Sequence, residues 1–376
     1  MMAGMNRIPR RASDAALGPD PSAPLKPPSL AGTEQVVRAG TPLSGAAAAG
    51  RRRAAAWRRE LQQAVRSPAE LARRLQIPLE ALAGSAADRF AVLVPESFLA
   101  RIVPGDPADP LLLQVLARPA ELDPQPGFVA DPVGDRAAQR QPGLLHKYAS
   151  RVLLMASSSC AVHCRYCFRR NYPYADEPRS DADWEPALEA IAADPSLHEV
   201  ILSGGDPLTL SDARLRRLTR RLAAVPSLRR LRVHTRLPVV IPSRVTGELL
   251  DWLTGTRLAP VLVIHANHAR ELDAAVARGL QRLRRAGVML LNQAVLLRGV
   301  NDDVAALVAL SERLADVGVA PYYLHQLDRV AGGGAFETSR EEGRRLVAAL
   351  RTRLPGYLVP RYVEEVAGAP AKVPLD

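Results

Sequence analysis

The sequence predicts an α/β fold, in which a helical accessory region precedes a partial (β/α)6 barrel. From Arg151 onward, six short apolar segments alternate with longer amphipathic segments, a pattern typical of parallel strands joined by crossover helices. Upstream of Arg151 the apolar residues instead recur at helical spacing. Because six β/α units are fewer than a closed eight-stranded barrel needs, we expect the parallel sheet to curl without closing.

The accessory region is expected to span residues 56–145. A first helix is predicted to begin at Trp57. A second begins at Ser67, because Ser67 and Glu70 have the spacing of a capping box and Pro68 suits the first helical position. Two shorter apolar segments follow at 95–103 and 109–117.

The barrel elements are predicted within residues 146–355, and a C-terminal segment follows at 356–376. Strands are expected at 152–156, 200–203, 231–234, 261–265, 288–292 and 322–325. Helices are expected at 184–193, 211–224, 244–254, 270–286, 302–317 and 339–352.

Residues 1–55 are predicted to form a disordered basic tail. More than half of the net charge of +11 lies in the first 60 residues, which also include Pro-rich and Ala-rich stretches. Contact with nucleic acid or the ribosome and a transit peptide are the alternatives for this segment. The sequence contains no run of about 18 apolar residues and no secretory signal, so we expect neither a membrane span nor secretion.

All three cysteines lie within eight residues, as Cys160-x3-Cys164-x2-Cys167. Three thiolates can hold three irons of a four-iron, four-sulfur cluster and leave the fourth iron open to bind and reduce a small molecule. The alternatives are a structural zinc site with His163 as fourth ligand, a disulfide framework and chance clustering. The odd count disfavours disulfides, and the adjacency of His163 to Cys164 makes a tetrahedral site awkward. An iron–sulfur protein needs a reducing compartment, so a cytoplasmic location is predicted.

Polar residues follow the carboxyl ends of all six predicted strands. In a β/α barrel this end is where successive loops build an active site. A single histidine there is more often a structural hydrogen-bonding group, but six polar strand ends in succession predict a functional site. Besides the cysteines, these segments are 203–206, 234–236, 265–268, 292–293 and 325–328.

Lysine usage gives a separate signal. Of the 50 Lys and Arg residues, only Lys26, Lys147 and Lys372 are lysines. A lysine amine can form a Schiff base with an aldehyde cofactor, and a guanidinium cannot. Composition alone nevertheless favours an ordinary solvated side chain for Lys372.

These features resemble the radical S-adenosylmethionine superfamily, whose hallmark is C-x3-C-x2-C after the first strand of a partial barrel. More narrowly, residues from about Trp57 to Asp376 resemble the lysine 2,3-aminomutases. The front region and the end at KVPLD resemble a shorter branch, which makes (R)-β-lysine for the modification of bacterial elongation factor P. The strings that carry the resemblance are CAVHCRYCFRR, ILSGGDPLTL, RLPVVIPSR, HANHARELD, NQAVLLRGVND, PYYLHQLD, GYLVP and AKVPLD.

The resemblance implies an isomerase, an L-lysine 2,3-aminomutase, with three cofactors: a [4Fe-4S] cluster, S-adenosyl-L-methionine and pyridoxal 5′-phosphate. It assigns the cluster to Cys160, Cys164 and Cys167. It assigns the covalent link with pyridoxal phosphate to Lys372, against the reading from composition. The other implied cofactor contacts are Ser203, Gly204, Gly205 and Asp206 beside S-adenosylmethionine, Lys147 and Arg151 beside the phosphate of pyridoxal phosphate, and His265 and Gln293 near either cofactor.

The resemblance also implies how lysine would be held. Arg169 matches the residue that binds the substrate carboxylate, and Asp328 and Glu365 match two carboxylates that hold the distal amine. Glu365 stands where the clostridial-type enzymes have Asp, so we expect a slightly remodelled pocket. The Cys-rich C-terminal extension of the larger enzymes is missing, so their zinc site and oligomerisation are not carried over.

The implied partners are an electron donor such as flavodoxin or ferredoxin, and, functionally, elongation factor P with its β-lysine ligase. Two other function classes stay open. One is a radical S-adenosylmethionine enzyme that acts on another amino acid, or on a protein or RNA docked by the basic tail. The other is a non-catalytic metal-binding module.

Overall fold

A computed structural model describes residues 56–78 and 84–376. The predicted basic tail, residues 1–55, lies outside the described residues. None of the described helices combines the length and the apolar character needed to cross a membrane.

One ten-stranded sheet, with its strands in chain order, forms the centre of the fold. Neighbouring strands pair in parallel from β3 to β9, and antiparallel strands flank this run on both sides. Within the described chain the first and last strands are not neighbours, so the sheet is open. The strands are β1 Gln139–Gln141, β2 Leu144–Tyr148, β3 Arg151–Ser157, β4 Glu199–Gly204, β5 Arg230–Thr235, β6 Ala259–Ile264, β7 Met289–Val295, β8 Ala320–His325, β9 Arg361–Glu364 and β10 Val373–Pro374.

The helices alternate with the parallel strands as predicted, which confirms the six β/α units of the partial barrel. Those of the N-terminal region are α1 56–62, α2 Pro68–Leu75, α3 Gly84–Arg89, α4 Glu96–Leu99 and α5 Pro110–Leu113. Those of the barrel are α6 Glu185–Ala193, α7 Asp212–Ala223, α8 Leu237–Val240, α9 Gly247–Thr254, α10 Ala274–Arg285, α11 Val304–Asp316 and α12 Arg340–Arg351.

Side-chain caps fix where the longer helices begin. Ser67 accepts a hydrogen bond from the backbone N–H of Glu70, with Pro68 at the first helical position, as the sequence predicts. Caps of the same kind, in which the side chain accepts from the third helical residue, precede five barrel helices: Ser211, Thr246, Asp273, Asp303 and Ser339.

Strand β4 shows how the sheet separates core from cavity. All six of its residues are buried, as is usual for a parallel strand with both faces covered. Val200 and Leu202 join the apolar core shared with the helices, whereas Ile201 and Ser203 line a cavity on the other face. Because side chains alternate along a strand, the outer face supplies hydrophobic stabilisation, about 1.5–3 kcal/mol for each fully buried leucine or valine, and the inner face is left for a ligand.

The N-terminal helices and the barrel share one apolar core, which runs from Trp57 to Tyr362. Two contacts tie this region to the barrel loops. Arg101 donates to the carbonyl oxygens of Val239 and Glu271, and the backbone N–H of His163 donates to Leu93 O. The accessory region therefore supports the loop that carries the cysteines.

The structure adds strands that the sequence did not reveal. A seventh parallel strand, β9, pairs with β8, and short antiparallel strands extend both ends of the sheet. Strand β9 has only four residues, and β10 has two. Segments this short show too little alternation to be told from a loop.

Candidate functional site

A cavity of about 870 Å³ lies against the inner face of the sheet. Its size is within the range of small-molecule and cofactor sites. The structure brings together at this cavity every residue that the sequence nominated for a site. These are Lys147, Arg151, Cys160, Cys164, Cys167, Arg169, Ser203, Gly204, Gly205, Asp206, His265, Gln293, Asp328, Glu365 and Lys372.

The three cysteines lie in the loop that follows β3, and each thiol is free and partly exposed. Among the described residues, no three His, Cys, Asp or Glu side chains converge around a position for one metal ion. A four-iron cluster has no such requirement, because each thiolate binds a different iron. His163, the fourth ligand of the zinc alternative, stacks on Phe90, and its Nδ1 lies 2.7 Å from Ala91 O.

The surroundings of two of the thiols raise their pKa values. Burial, together with the neighbouring sulfur atoms, raises the pKa of Cys160 well above its ordinary value. Burial and Cys164 raise the pKa of Cys167 to about 11. Thiols packed in this way stay protonated unless a metal ion is present, because coordination by a metal deprotonates them. Three free thiols in one loop, each able to bind a different iron, form a donor set that fits an iron–sulfur cluster.

Two glycines bring the end of β4 against the cysteine loop. Gly204 has φ +119°, and a Cβ atom there would collide with the carbonyl oxygen of Ser157. A Cβ atom on Gly205 would collide with Ser159 O in the same way. This close approach lets the backbone N–H of Gly205 donate to Ser157 O at 2.7 Å. A larger residue at either position would displace the loop that leads into Cys160.

Asp206 follows the two glycines and is buried. Its carboxylate accepts from the hydroxyl of Thr235 and from the backbone N–H groups of Leu208, Arg236 and Leu237. These bonds tie the end of β4 to the end of β5. The role of Asp206 beside a cofactor stays a prediction.

A chain of charged side chains of alternating sign crosses the cavity. Arg169 Nε donates to Asp135 Oδ2 at 2.7 Å, and Lys147 Nζ lies 2.7 Å from Asp135 Oδ1. Lys147 Nζ is also 3.6 Å from Glu365 Oε1, and Lys372 Nζ donates to Glu365 Oε2 at 2.5 Å. These contacts link Arg169, predicted to bind a carboxylate, to Lys372, predicted to bind an aldehyde.

Sequence reasoning missed two members of this arrangement. Asp135 is 1% exposed and lies in a loop before β1, where no motif or periodicity distinguishes it from other loop carboxylates. Tyr148 is in β2, next to Lys147, and its hydroxyl donates to Glu365 Oε1 at 2.6 Å. The guanidinium of Arg151 lies over the Tyr148 ring, 4.5 Å from its centroid.

Two carboxylates near Lys372 differ in their electrostatics. Burial raises the pKa of Asp328 to about 7, although the charge of Lys372 opposes the shift, and Glu365 adds repulsion. The pKa of Glu365 is lowered instead, because Lys372, Tyr148 and Lys147 outweigh the effect of burial. A second cation beside Asp328 would therefore be stabilising.

Three histidines in the cavity wall are neutral. Burial, with Arg236 adding repulsion, lowers the pKa of His265 to about 3. Burial also lowers the pKa values of His234 and His325 well below the ordinary range. His265 Nε2 is 2.8 Å from Gln293 Nε2, and a neutral imidazole can accept that bond. Among the nominated residues, His265 and Gln293 thus form one hydrogen-bonded unit.

Residues 155–310 match the family model described as the Radical SAM superfamily. The chain is 47% identical over 323 residues to the L-lysine 2,3-aminomutase of Escherichia coli (strain K12), an alignment that covers 85% of this chain and 94% of that relative. It is 45% identical over 318 residues to the L-lysine 2,3-aminomutase of Haemophilus influenzae, covering 84% and 94%. It is 33% identical over 323 residues to that of Clostridium subterminale, covering 85% and 77%.

Proposed function

The chain belongs to the lysine 2,3-aminomutase family of the radical SAM superfamily, and we propose that it is an isomerase that converts α-lysine to β-lysine. The amino group would move from C2 to C3. One observation carries the proposal. A single cavity holds three free cysteines, a buried arginine, a lysine beside a carboxylate, and a second carboxylate that a cation would stabilise.

We propose that Cys160, Cys164 and Cys167 hold the [4Fe-4S] cluster, with S-adenosyl-L-methionine beside the segment from Ser203 to Asp206. Pyridoxal 5′-phosphate would bind Lys372, with Lys147 and Arg151 facing its phosphate and His265 and Gln293 in the cavity wall. When bound, the cluster and S-adenosylmethionine supply a one-electron route for removing and returning a hydrogen atom, and pyridoxal phosphate supplies a carrier for the migrating nitrogen.

Only a neutral Lys372 amine can bind pyridoxal phosphate covalently. An ammonium cannot bond to an aldehyde, so Lys372 Nζ has to lose a proton before it can bind pyridoxal phosphate. Glu365 Oε2 is 2.5 Å from Lys372 Nζ and can accept this proton and pass it to solvent, which restores the Glu365 carboxylate. Tyr148 and Lys147 hold the other carboxylate oxygen, which keeps Glu365 oriented toward Lys372.

Arg169 is oriented to bind the carboxylate of lysine. Asp135 takes its Nε, so the terminal Nη groups remain for a ligand, and Nη1 lies 3.3 Å from the hydroxyl of Ser203. A planar guanidinium held this way binds a carboxylate through two parallel hydrogen bonds. The contact of Arg169 with Ser203 supports a carboxylate site beside the segment proposed for S-adenosylmethionine.

At the other end of lysine, Asp328 and Glu365 would hold the distal ammonium. The raised pKa of Asp328 reflects a buried carboxyl group without enough positive charge beside it. An ammonium supplies that charge, whereas a substrate with an acidic side chain would add repulsion. We therefore expect lysine to be accepted and glutamate to be rejected.

We further propose that the product is (R)-β-lysine for the modification of elongation factor P, made in the cytoplasm and passed to a β-lysine ligase. Support comes from the resemblance of the front region and of the end at KVPLD to the shorter branch. The electron donor would be a flavodoxin or ferredoxin. The proposed regions are the accessory region 56–145, the barrel 146–355 and the segment 356–376 that carries Lys372.

The second candidate is a radical SAM enzyme that acts on another amino acid or on a macromolecule. The presence of Glu365, one methylene longer than the Asp of the clostridial-type enzymes, is the observation that favours a different amino acid. Its longer reach would shift the position of the distal cation.

Anaerobic reconstitution with iron, sulfide, S-adenosylmethionine, pyridoxal phosphate, lysine and a reductant tests the proposal. We expect β-lysine, identified by chiral chromatography, and a borohydride-stable pyridoxyl mark on Lys372 in peptide maps. Glutamate in place of lysine is the control and should give no β-amino acid. Full cofactor loading with no β-lysine and no mark on Lys372 would reject the proposal. Formation of 5′-deoxyadenosine with a different amino acid would favour the second candidate.

A further inference from the structure

A buried arginine contacts one of the cysteines directly. Arg236 follows strand β5 and is 5% exposed, and its Nη1 donates to Cys164 Sγ at 2.7 Å. An arginine keeps its positive charge in any protein environment. A fixed cation therefore lies against one of the three sulfur atoms proposed to hold the cluster.

The position of this guanidinium is fixed by its other contacts. Nη2 donates to Gln114 Oε1 at 2.6 Å and to Glu271 Oε2 at 2.8 Å. The rings of Phe98 and Tyr166 lie within 6 Å of its central carbon. Arg236 thus has little freedom to move away from Cys164.

Glu271 balances the charge of Arg236 by accepting from Nη2, whereas Cys164 accepts from Nη1. It is 0% exposed and also accepts hydrogen bonds from the backbone N–H groups of Asn267 and His268. The Nε of Arg236 is buried and has no hydrogen-bond partner among the described residues. A bound anionic cluster would offset the cost of that unpaired donor.

We propose that the Arg236–Glu271 pair sets the reduction potential of the cluster, with Arg236 raising it and Glu271 holding it down. Reduction adds one electron to the cluster from an external one-electron reductant, and no cluster ligand is gained or lost. A cation that donates to a ligating sulfur stabilises the added negative charge. The effect should be strong because Arg236 and Glu271 are both buried, where charges are poorly screened.

The two residues then have opposite predicted effects. Arg236→Gln removes the cation and its bond to Cys164, so the potential should fall. Glu271→Gln removes the balancing anion and leaves Arg236 in place, so the potential should rise. A role of these residues in folding alone would not move the potential in two opposite directions.

The inference rests on the cluster part of the proposed function, and a redox titration of the reconstituted protein followed by electron paramagnetic resonance tests it without lysine. At the midpoint of the unaltered protein, Arg236→Gln should lower the ratio of reduced to oxidised cluster about tenfold, which is ~59 mV for a one-electron couple. Glu271→Gln should raise that ratio. Iron and sulfide analysis establishes cluster loading for each variant before titration.

Arg244→Gln is the matched control. Arg244 is 0% exposed and donates to Asp212 at 2.8 Å, and neither residue lines the cavity. The Arg244→Gln variant loses a buried ion pair of the same kind, away from the cavity. Its cluster should therefore keep the reduction potential of the unaltered protein.

The possible outcomes separate this inference from the proposed function. Equal potentials in all variants, or shifts of Arg236→Gln and Glu271→Gln in the same direction, would overturn the inference. If Arg236→Gln does not load a cluster, the Glu271→Gln variant decides the test. Its reduction potential should rise, and an unchanged potential would overturn the inference. If the unaltered protein binds no iron–sulfur cluster at all, the proposed function fails as well.

Discussion

The two ends of the cavity are built in different ways. At the cysteine end, the cations near the loop already have buried partners: Arg165 and Arg170 both pair with Glu121, and Arg236 pairs with Glu271. At the lysine end, four cations (Arg169, Lys147, Arg151 and Lys372) and three carboxyl groups (Asp135, Glu365 and Asp328) line the cavity. Asp135 and Glu365 form ion pairs with Arg169, Lys147 and Lys372, and burial raises the pKa of Asp328 to about 7.

The difference shows what each end is prepared to bind. At the cysteine end each of these arginines is held by a buried carboxylate before any ligand arrives, so this end is suited to hold one rigid group in one place. The lysine end has more positive than negative charge, and anionic groups such as a phosphate and a carboxylate would complete it. Changes at the lysine end should therefore affect ligand binding, and changes at the cysteine end should affect redox behaviour.

The largest effect is expected from Lys372→Ala. Without the amine there is no covalent hold on pyridoxal phosphate, so β-lysine formation should fall by at least about 10³-fold. The cleavage of S-adenosylmethionine in dithionite without lysine, measured as 5′-deoxyadenosine, should stay within a few-fold of the unaltered protein. Lys372→Arg is the matched control, because it keeps a cation beside Glu365 and should be equally inactive. Activity in Lys372→Arg would mean that charge alone is needed at this position.

Asp135→Asn should break the charge chain in the middle. An amide cannot accept from both Arg169 and Lys147 as the carboxylate does, so Arg169 should lose its orientation. Because Arg169 is proposed to bind the carboxylate of the substrate lysine, the KM for lysine should rise roughly tenfold. The KM for S-adenosylmethionine should change much less. If Asp135 acted only by reducing positive charge, its removal would lower the KM for lysine.

Asp212→Asn is the control for stability. Asp212 pairs with Arg244 outside the cavity. Asp135→Asn and Asp212→Asn should each lose about 3–5 kcal/mol of unfolding free energy, because each leaves a buried guanidinium poorly paired. Denaturant titration measures this loss. A rise in the KM for lysine in both variants would remove the special role of Asp135.

The pKa of Asp328 predicts a pH dependence near neutrality. Because the folded pKa of about 7 is above the ordinary 3.8, the folded protein keeps a proton that the unfolded chain releases, and this group lowers the unfolding free energy as pH rises between these values. The Asp328 carboxylate, which we propose attracts lysine, forms as pH passes 7, so kcat/KM for lysine should rise from pH 6 to 8. Asp328→Asn should flatten that rise and lower kcat/KM, while 5′-deoxyadenosine formation in dithionite stays largely intact. An unchanged profile would show that another group titrates.

The smallest effect is expected from Tyr148→Phe. It removes one hydrogen bond to Glu365 but leaves Lys147 and Lys372 in contact with that carboxylate, so the loss that reaches lysine binding should be about 1 kcal/mol or less. The KM for lysine should rise several-fold, less than in Asp135→Asn. A larger effect than that of Asp135→Asn would place Tyr148, and not the charge chain, at the centre of substrate binding.

The two ends of the cavity also differ in how far the sequence predicts them. Cys160, Cys164 and Cys167 belong to one short loop, so their spacing alone predicts a cluster site. The six barrel strands and their helices follow from periodicity, and Ser67 marks a helix start through local chemistry. Each of these signals is contained in a few consecutive residues.

The lysine end depends on contacts between distant parts of the chain. Asp135 meets Arg169 across 34 residues, and Tyr148 meets Glu365 across 217 residues. No spacing or periodicity links such pairs, so Asp135 and Tyr148 were missed. Lys372 and Glu365 were found through the resemblance to a known family, and composition alone pointed the other way for Lys372. The four-residue strand β9 was missed because a segment of that length has no measurable pattern.

The most direct test of the account asks whether the two ends act on the same molecule. The fully loaded protein would be incubated anaerobically with S-adenosylmethionine, a reductant and lysine carrying deuterium at C3, and the products would be examined by mass spectrometry. We predict β-lysine together with deuterium in the recovered 5′-deoxyadenosyl group, and neither in Lys372→Ala. Deuterium-free 5′-deoxyadenosine and unchanged lysine, from protein with all three cofactors bound, would contradict the account.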